Sequence, residues 1–157
     1  MKNKVYYDPL RVSRVVISRK SSVLLVFSIK HKLWELPGGK LKPKETYKKG
    51  AKRELFEECN ITATQLRLCA VVAHISHFLN VYQEEVRSIK RYFFADRVRG
   101  WKSLTAQDGE IEKIEWFTYS EALSLTDIHH ETKAVLEQIS LQGTKAPFKI
   151  IRLNVHR

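Results

Sequence analysis

Apolar positions come in short runs separated by polar punctuation, and the spacing within each run predicts its element. Arg14 to Ser18 and Ser22 to Ile29 read as strands joined by a tight polar turn at Arg19-Lys20-Ser21. Pro37-Gly38-Gly39 is a strong interruption. From Thr46 to Asn60 the pattern turns helical, with Tyr47, Ala51, Leu55 and Cys59 recurring at i, i+4 as a buried stripe. Gln65 to Leu79 reads as one long strand or two short ones, with Val71, Val72, Ile75 and Phe78 as core candidates. Strands are also expected over Ser88 to Val98, Glu112 to Tyr119 and Phe148 to Val155. Ser120 to Leu125 starts a short helix that Ser120 can cap. Glu131 to Leu141 is a further helix, apolar at Ala134, Val135, Ile139 and Leu141. Strands and helices follow one another without regular alternation. The expected class is therefore α+β, a mixed sheet covered by helices, rather than a doubly wound parallel sheet.

Bulk properties narrow this picture. With 157 residues, 43% apolar and 29% charged, the chain is expected to form one domain over 1–157 with its own core. Its longest apolar run, Val23 to Phe27, is strand-sized, so no membrane partner is expected. Met1-Lys2-Asn3-Lys4 is basic, but no apolar segment follows as a signal peptide would require. Cys59 and Cys69 have no metal-ligand spacing and suggest no disulfide framework. A cytoplasmic location follows as the expectation. Twenty-eight Lys and Arg against seventeen Asp and Glu give a net charge of +11. Such a surface attracts polyanions, so RNA joins small nucleotides as a candidate partner. The same charge also serves solubility alone.

The chemistry concentrates on the helix predicted from Thr46. Glu54, Glu57 and Glu58 lie on one stripe beside its buried face, flanked by Arg53. Like charges at this spacing repel by a few tenths of a kcal/mol per pair (about 0.2–0.5), so the arrangement gains no stability by itself. A hard divalent cation reverses that balance, because clustered oxygen ligands are what Mg2+ requires. A merely solvated acidic face is the alternative. Gly50, among these residues, has no side chain to obstruct an approaching ligand.

The spacing around the stripe is specific. Gly39 is followed after five residues by Glu45, and after seven more by Arg53-Glu54-Leu55-Phe56-Glu57-Glu58-Cys59-Asn60-Ile61. This resembles the signature box of the Nudix hydrolases at every position but one, Asn60 standing where the family has Gly. That position follows the helix, where a left-handed residue is needed, and Asn is the usual second choice. Trp34-Glu35-Leu36-Pro37-Gly38-Gly39-Lys40 also resembles the family's entry loop. The resemblance implies a Nudix fold, a mixed β-sheet sandwiched between α-helices. It also implies hydrolysis of a phosphoanhydride in a nucleoside diphosphate derivative. It implies Mg2+, replaceable by Mn2+, held by Glu54, Glu57, Glu58 and the Gly38 carbonyl. Glu45 and Arg53 become orienting residues, Arg53 working beside the catalytic carboxylates. Glu110, in an acidic loop before the late strand, is implied as a further metal ligand or general base, with Glu112 as its competitor.

Substrate choice is less constrained. Lys40 is the favoured phosphate contact, since Lys48, Lys49 and Lys52 project away from the carboxylates. Ser76-His77-Phe78 lacks the markers of the family's ADP-ribose and dinucleoside polyphosphate groups, and no coenzyme A signature is present. The remaining resemblance is to small members that hydrolyse nucleoside triphosphates, oxidised ones included, giving monophosphate and pyrophosphate. For the base pocket, Asp127 and His129 or His130 are polar candidates, and Phe78 and Phe27 candidate walls. Asp127 reads equally as the N-cap of the last helix. RNA 5′-pyrophosphohydrolysis, dinucleoside polyphosphate hydrolysis and a non-catalytic nucleotide- or RNA-binding module are the alternatives. The intact set of box carboxylates argues against the last.

Overall fold

The computed structural model describes residues 10–77, 84–102, 104–106, 109–143 and 149–154. Nine strands and three helices appear among them in the order β1 (Leu10–Val16), β2 (Ser18–Arg19), β3 (Ser22–Ser28), β4 (Leu33–Glu35), β5 (Gly38–Lys40), α1 (Tyr47–Cys59), β6 (Thr62–His77), β7 (Glu84–Arg99), β8 (Ile111–Thr118), α2 (Tyr119–Ser124), α3 (His130–Gln142) and β9 (Lys149–Asn154). The expected α+β class is therefore observed, but the strands divide into two sheets. One has the order β5-β1-β7-β6-β9. In it β1 runs parallel to β7 and β9 parallel to β6, while the other pairs are antiparallel. In the second, β3 pairs with β2, β4 and β8, all antiparallel.

The central strand β3 is buried on both faces, which explains its near-continuous apolar run. In β3, Val23 and Leu25 face one core cluster, and Leu24 and Val26 face the other. The first cluster adds Ala122, Val135, Leu136 and Ile139 from α2 and α3. The second adds Ala51, Leu55 and Cys59 from α1. Helices thus cover the strands from two sides, as expected. Val72 is buried in the first cluster, whereas Val71 is only half-buried. Phe78 and the side chain of Ile75 lie outside the described residues. Leu141 departs from expectation: it is 82% exposed in the last turn of α3, beyond the sheet that buries Ile139.

The caps also correct two readings. Thr118, not Ser120, caps α2. Its hydroxyl accepts from the Glu121 N–H while the Glu121 carboxylate accepts from the Thr118 N–H. His129, not Asp127, caps α3 through Nδ1, which accepts from the Glu131 N–H at 3.2 Å. Asp127 is occupied differently. Its carbonyl accepts the Trp34 N–H at 2.7 Å, and the Trp34 carbonyl accepts the His129 N–H. The segment thereby joins the edge of β4. The turn before β3 has φ of 47° at Lys20 and 66° at Ser21, the left-handed pair that a two-residue hairpin favours.

Candidate active site

The helix α1 is held at both ends. Thr46 accepts the Lys49 N–H at its start, and Asn60 ends it in the left-handed region at φ 60°, ψ 33°, as its place in the sequence required. Ala51, Leu55 and Cys59 anchor the inner face. The carboxylate stripe then splits. Glu54 and Glu58, one turn apart, are buried, while the Glu57 side chain is 42% exposed at the rim.

Arg53 organises this acidic face. It donates to Glu45 at 2.8 and 2.9 Å, to Glu54 at 2.9 Å, to Glu57 at 3.1 Å and to the Lys40 carbonyl at 3.1 Å. One planar cation can satisfy so many acceptors because its donors form a rigid fork. Hydrogen bonding to Arg53 holds the Glu45 carboxyl down at about 2. Burial pushes Glu54 the other way, above the ordinary carboxylate value, with Glu57 and Glu110 adding to the rise against Arg53.

Glycines let the loop approach. A Cβ on Gly39 would lie 2.7 Å from the Glu54 carboxyl, and one on Gly38 would lie 2.0 Å from the Ser13 carbonyl oxygen. Gly38, at φ 151°, donates its N–H to Glu58 at 3.3 Å. Gly50 plays another part from the one expected. It is buried, and a Cβ there would meet Glu45 and Leu41, so its missing side chain makes room for the loop rather than for a ligand.

These residues border a cleft of about 660 Å³. Glu54, Glu58, Gly38, Lys40 and Glu110 all line it. Glu110 is exposed in the turn before β8, its carbonyl fixed by the Ile29 N–H at 3.0 Å. Glu57, Arg53 and Glu112 are outside the lining, Glu112 being exposed on β8. Asp127, His129 and Phe27 also stand apart from it. Phe27 packs edge-on against Trp34 in the core, with centroids 5.2 Å apart. His129 lies behind His31, a lining residue, at a ring separation of 6.3 Å. Phe78 falls outside the described residues.

The structure adds cleft residues that sequence reasoning missed. Arg14 lies under the cleft 3.5 Å from Glu35, whose other oxygen is 2.7 Å from His31 Nδ1. Lys90 enters from β7 and pairs with the buried Glu131 at 2.7 Å. A signal for Lys90 did exist: it shares a strand face with Ser88, Tyr92 and Phe94, all buried. A lysine at such an inward position needs a partner.

The donor set suits a hard divalent cation. Two buried carboxylates face one recess, and neither can gain from packing in an apolar medium. The NUDIX domain profile matches residues 9–139. The chain belongs to the Nudix family. Among relatives of this Nudix hydrolase is the 8-oxo-dGTP diphosphatase of Buchnera aphidicola subsp. Acyrthosiphon pisum. It is 32% identical over 104 residues, covering 66% of this chain and 71% of that protein. Among solved structures, a MutT protein from Bacillus halodurans superposes with a TM-score of 0.73 at 22% identity, over 92% of this chain and 89% of its own. The NUDIX domain of Shewanella oneidensis NrtR, complexed with ADP ribose, gives 0.71 at 18% identity over 92% and 94%. Among the described residues no helix is long and apolar enough to cross a membrane.

Proposed function

We propose that this Nudix hydrolase cleaves nucleoside triphosphates, oxidised purine forms included, to the monophosphate and pyrophosphate in a Mg2+-dependent reaction. The observation that carries the reading is the single cleft on which Glu54, Glu58, the Gly38-Gly39 backbone, Lys40 and Glu110 converge. Its volume of about 660 Å³ is in the range of small-molecule sites. The 8-oxo-dGTP diphosphatase of Buchnera supports the substrate class.

Glu54 and Glu58 would hold the cation from inside the cleft, with Glu57 reaching in from the rim and the Gly38 carbonyl adding a neutral oxygen. A bound Mg2+ supplies charge neutralisation on the phosphates and a more acidic water. Arg53 fixes the carboxylates in place, so that little reorganisation is needed when substrate arrives. Lys40 meets the phosphates as a mobile point charge. Glu110 faces the α1 carboxylates and takes the proton from the attacking water. His31, Glu35 and Arg14 form a polar wall suited to a base edge, a role first expected of Asp127 and of His129 or His130.

The test is product analysis. Incubation with Mg2+ and a panel of dGTP, 8-oxo-dGTP, ADP-ribose, diadenosine polyphosphates and 5′-triphosphorylated RNA should give monophosphate and pyrophosphate from the triphosphates fastest. Release from ADP-ribose or RNA alone would replace this reading.

A further inference from the structure

A second cleft, of about 600 Å³, shares no lining residue with the first. Its walls include Arg19 of β2, Gln65 of β6, Arg97 and Arg99 of β7, and Trp101 in the turn that follows. Arg97 and Arg99 are two apart on one strand and project to the same side. The guanidinium carbon of Arg19 lies 3.3 Å from the centroid of the Trp101 ring. A guanidinium this close over the ring face is in position to stack on the indole, which leaves its other face for a second planar group. Lys102 adds a cation 5.1 Å from the same ring.

Among the described residues the cations of this cleft outnumber its carboxylates. Asp96 also lines the cleft, but it pairs with Arg67 at 3.3 Å. Among the described residues no carboxylate forms an ion pair with Arg19, Arg97 or Arg99. Several cations gathered in one recess repel one another, and they gain only when an anion enters from outside. None of them lines the cleft proposed for hydrolysis.

We infer that this cleft binds the backbone of single-stranded nucleic acid. Its phosphates contact Arg97 and Arg99, and one unpaired base stacks on the Arg19 guanidinium that Trp101 supports. A cationic groove with planar stacking surfaces is the pattern that suits single strands. Stacking on a guanidinium plane requires a base freed from a duplex. The recess is concave, which disfavours a flat lipid surface. A net charge of +11 favours encounter with any polyanion.

Fluorescence anisotropy with a labelled 5′-hydroxyl oligouridylate tests this, because the probe contains no phosphoanhydride for the hydrolase cleft to cut. The wild-type protein should bind it, more weakly as salt rises. Arg97→Gln with Arg99→Gln should weaken binding about tenfold or more. It should also flatten the slope of log K against log salt by about 1.4, two contacts at about 0.7 each. Arg19→Ala should weaken binding without so large a change in slope, since it removes stacking as well as charge. Hydrolysis of dGTP should be unchanged in both variants. If the double variant does not fold, Arg99→Gln alone, exposed at the strand end, reads the same contact. Unchanged affinity in the arginine variants would overturn the inference. So would a preference for duplex of equal length or for phosphatidylserine vesicles over the oligonucleotide.

Discussion

Glu45 receives both the Nε–H and an Nη–H of Arg53, and its oxygen also accepts the Lys42 N–H at 3.0 Å. Its pKa near 2 lies below the ordinary 4.5. A depressed carboxyl stabilises the fold fully above its unfolded pKa, and that stability drains away as pH falls through the folded one. Glu45→Gln should therefore lower the melting temperature at neutral pH, and the gap from wild type should close between about pH 4.5 and 2. A gap that persists unchanged at pH 2 would mean that Glu45 acts through packing. Glu110 and Glu112 are separated by one residue but by much more in surroundings. Glu110 lines the cleft and contributes to the raised pKa of Glu54, while Glu112 is exposed outside it. Glu110→Gln should cut kcat by about 100-fold or more and flatten the pH–rate profile, and Glu112→Gln should leave both near wild type. Comparable losses in the two variants would remove Glu110 from the proton transfer. The sequence made the carboxylates of α1 legible through their spacing. It left Glu110 and Glu112 unresolved, because which of two nearby loop residues faces a cleft depends on the turn.

Helix α3 starts from an unusual cap. His129 Nδ1 accepts the Glu131 N–H, which requires the neutral ring, and burial lowers its pKa to about 4 from 6.5. In the unfolded chain the ring protonates already near 6.5. Stability should then rise with pH across about 4 to 6.5 and fall on acidification through that window. His129→Asn keeps a capping acceptor but does not titrate. The variant should show a flatter melting temperature against pH in that window. An unaltered slope would assign the acid sensitivity elsewhere. Neither this cap nor that of α2 was readable from the chain. Ser120 and Asp127 have the right chemistry, but pairing of 127–129 with Trp34 and the capping box at Thr118 decided where the helices begin. The C-cap at Asn60 was readable, because a left-handed ending is a local demand that few residue types meet.

At the scale of the molecule, two core clusters flank the strands, and only one carries the proposed chemistry. Leu55 and Leu136 are both fully buried, one in each cluster. Either change to Ala should cost about 2–5 kcal/mol in denaturant unfolding. Leu55→Ala should also lower kcat, since α1 presents Glu54 and Glu58, whereas Leu136→Ala should spare the rate of the folded fraction. Equal kinetic effects would show that the clusters are coupled through the sheets. The chain by itself determined the α+β class, most elements, and the acidic helix with its glycine-rich entry, because periodicity, capping and box spacing act over a few residues. Only the tertiary structure decided that Glu54 and Glu58 are buried while Glu57 stays at the rim. Only it brought Arg14, Glu35, His31 and Lys90 to the same cleft and set three arginines in another. Those groupings join strands far apart in sequence, and their burial follows from sheet order and register, which no local pattern encodes.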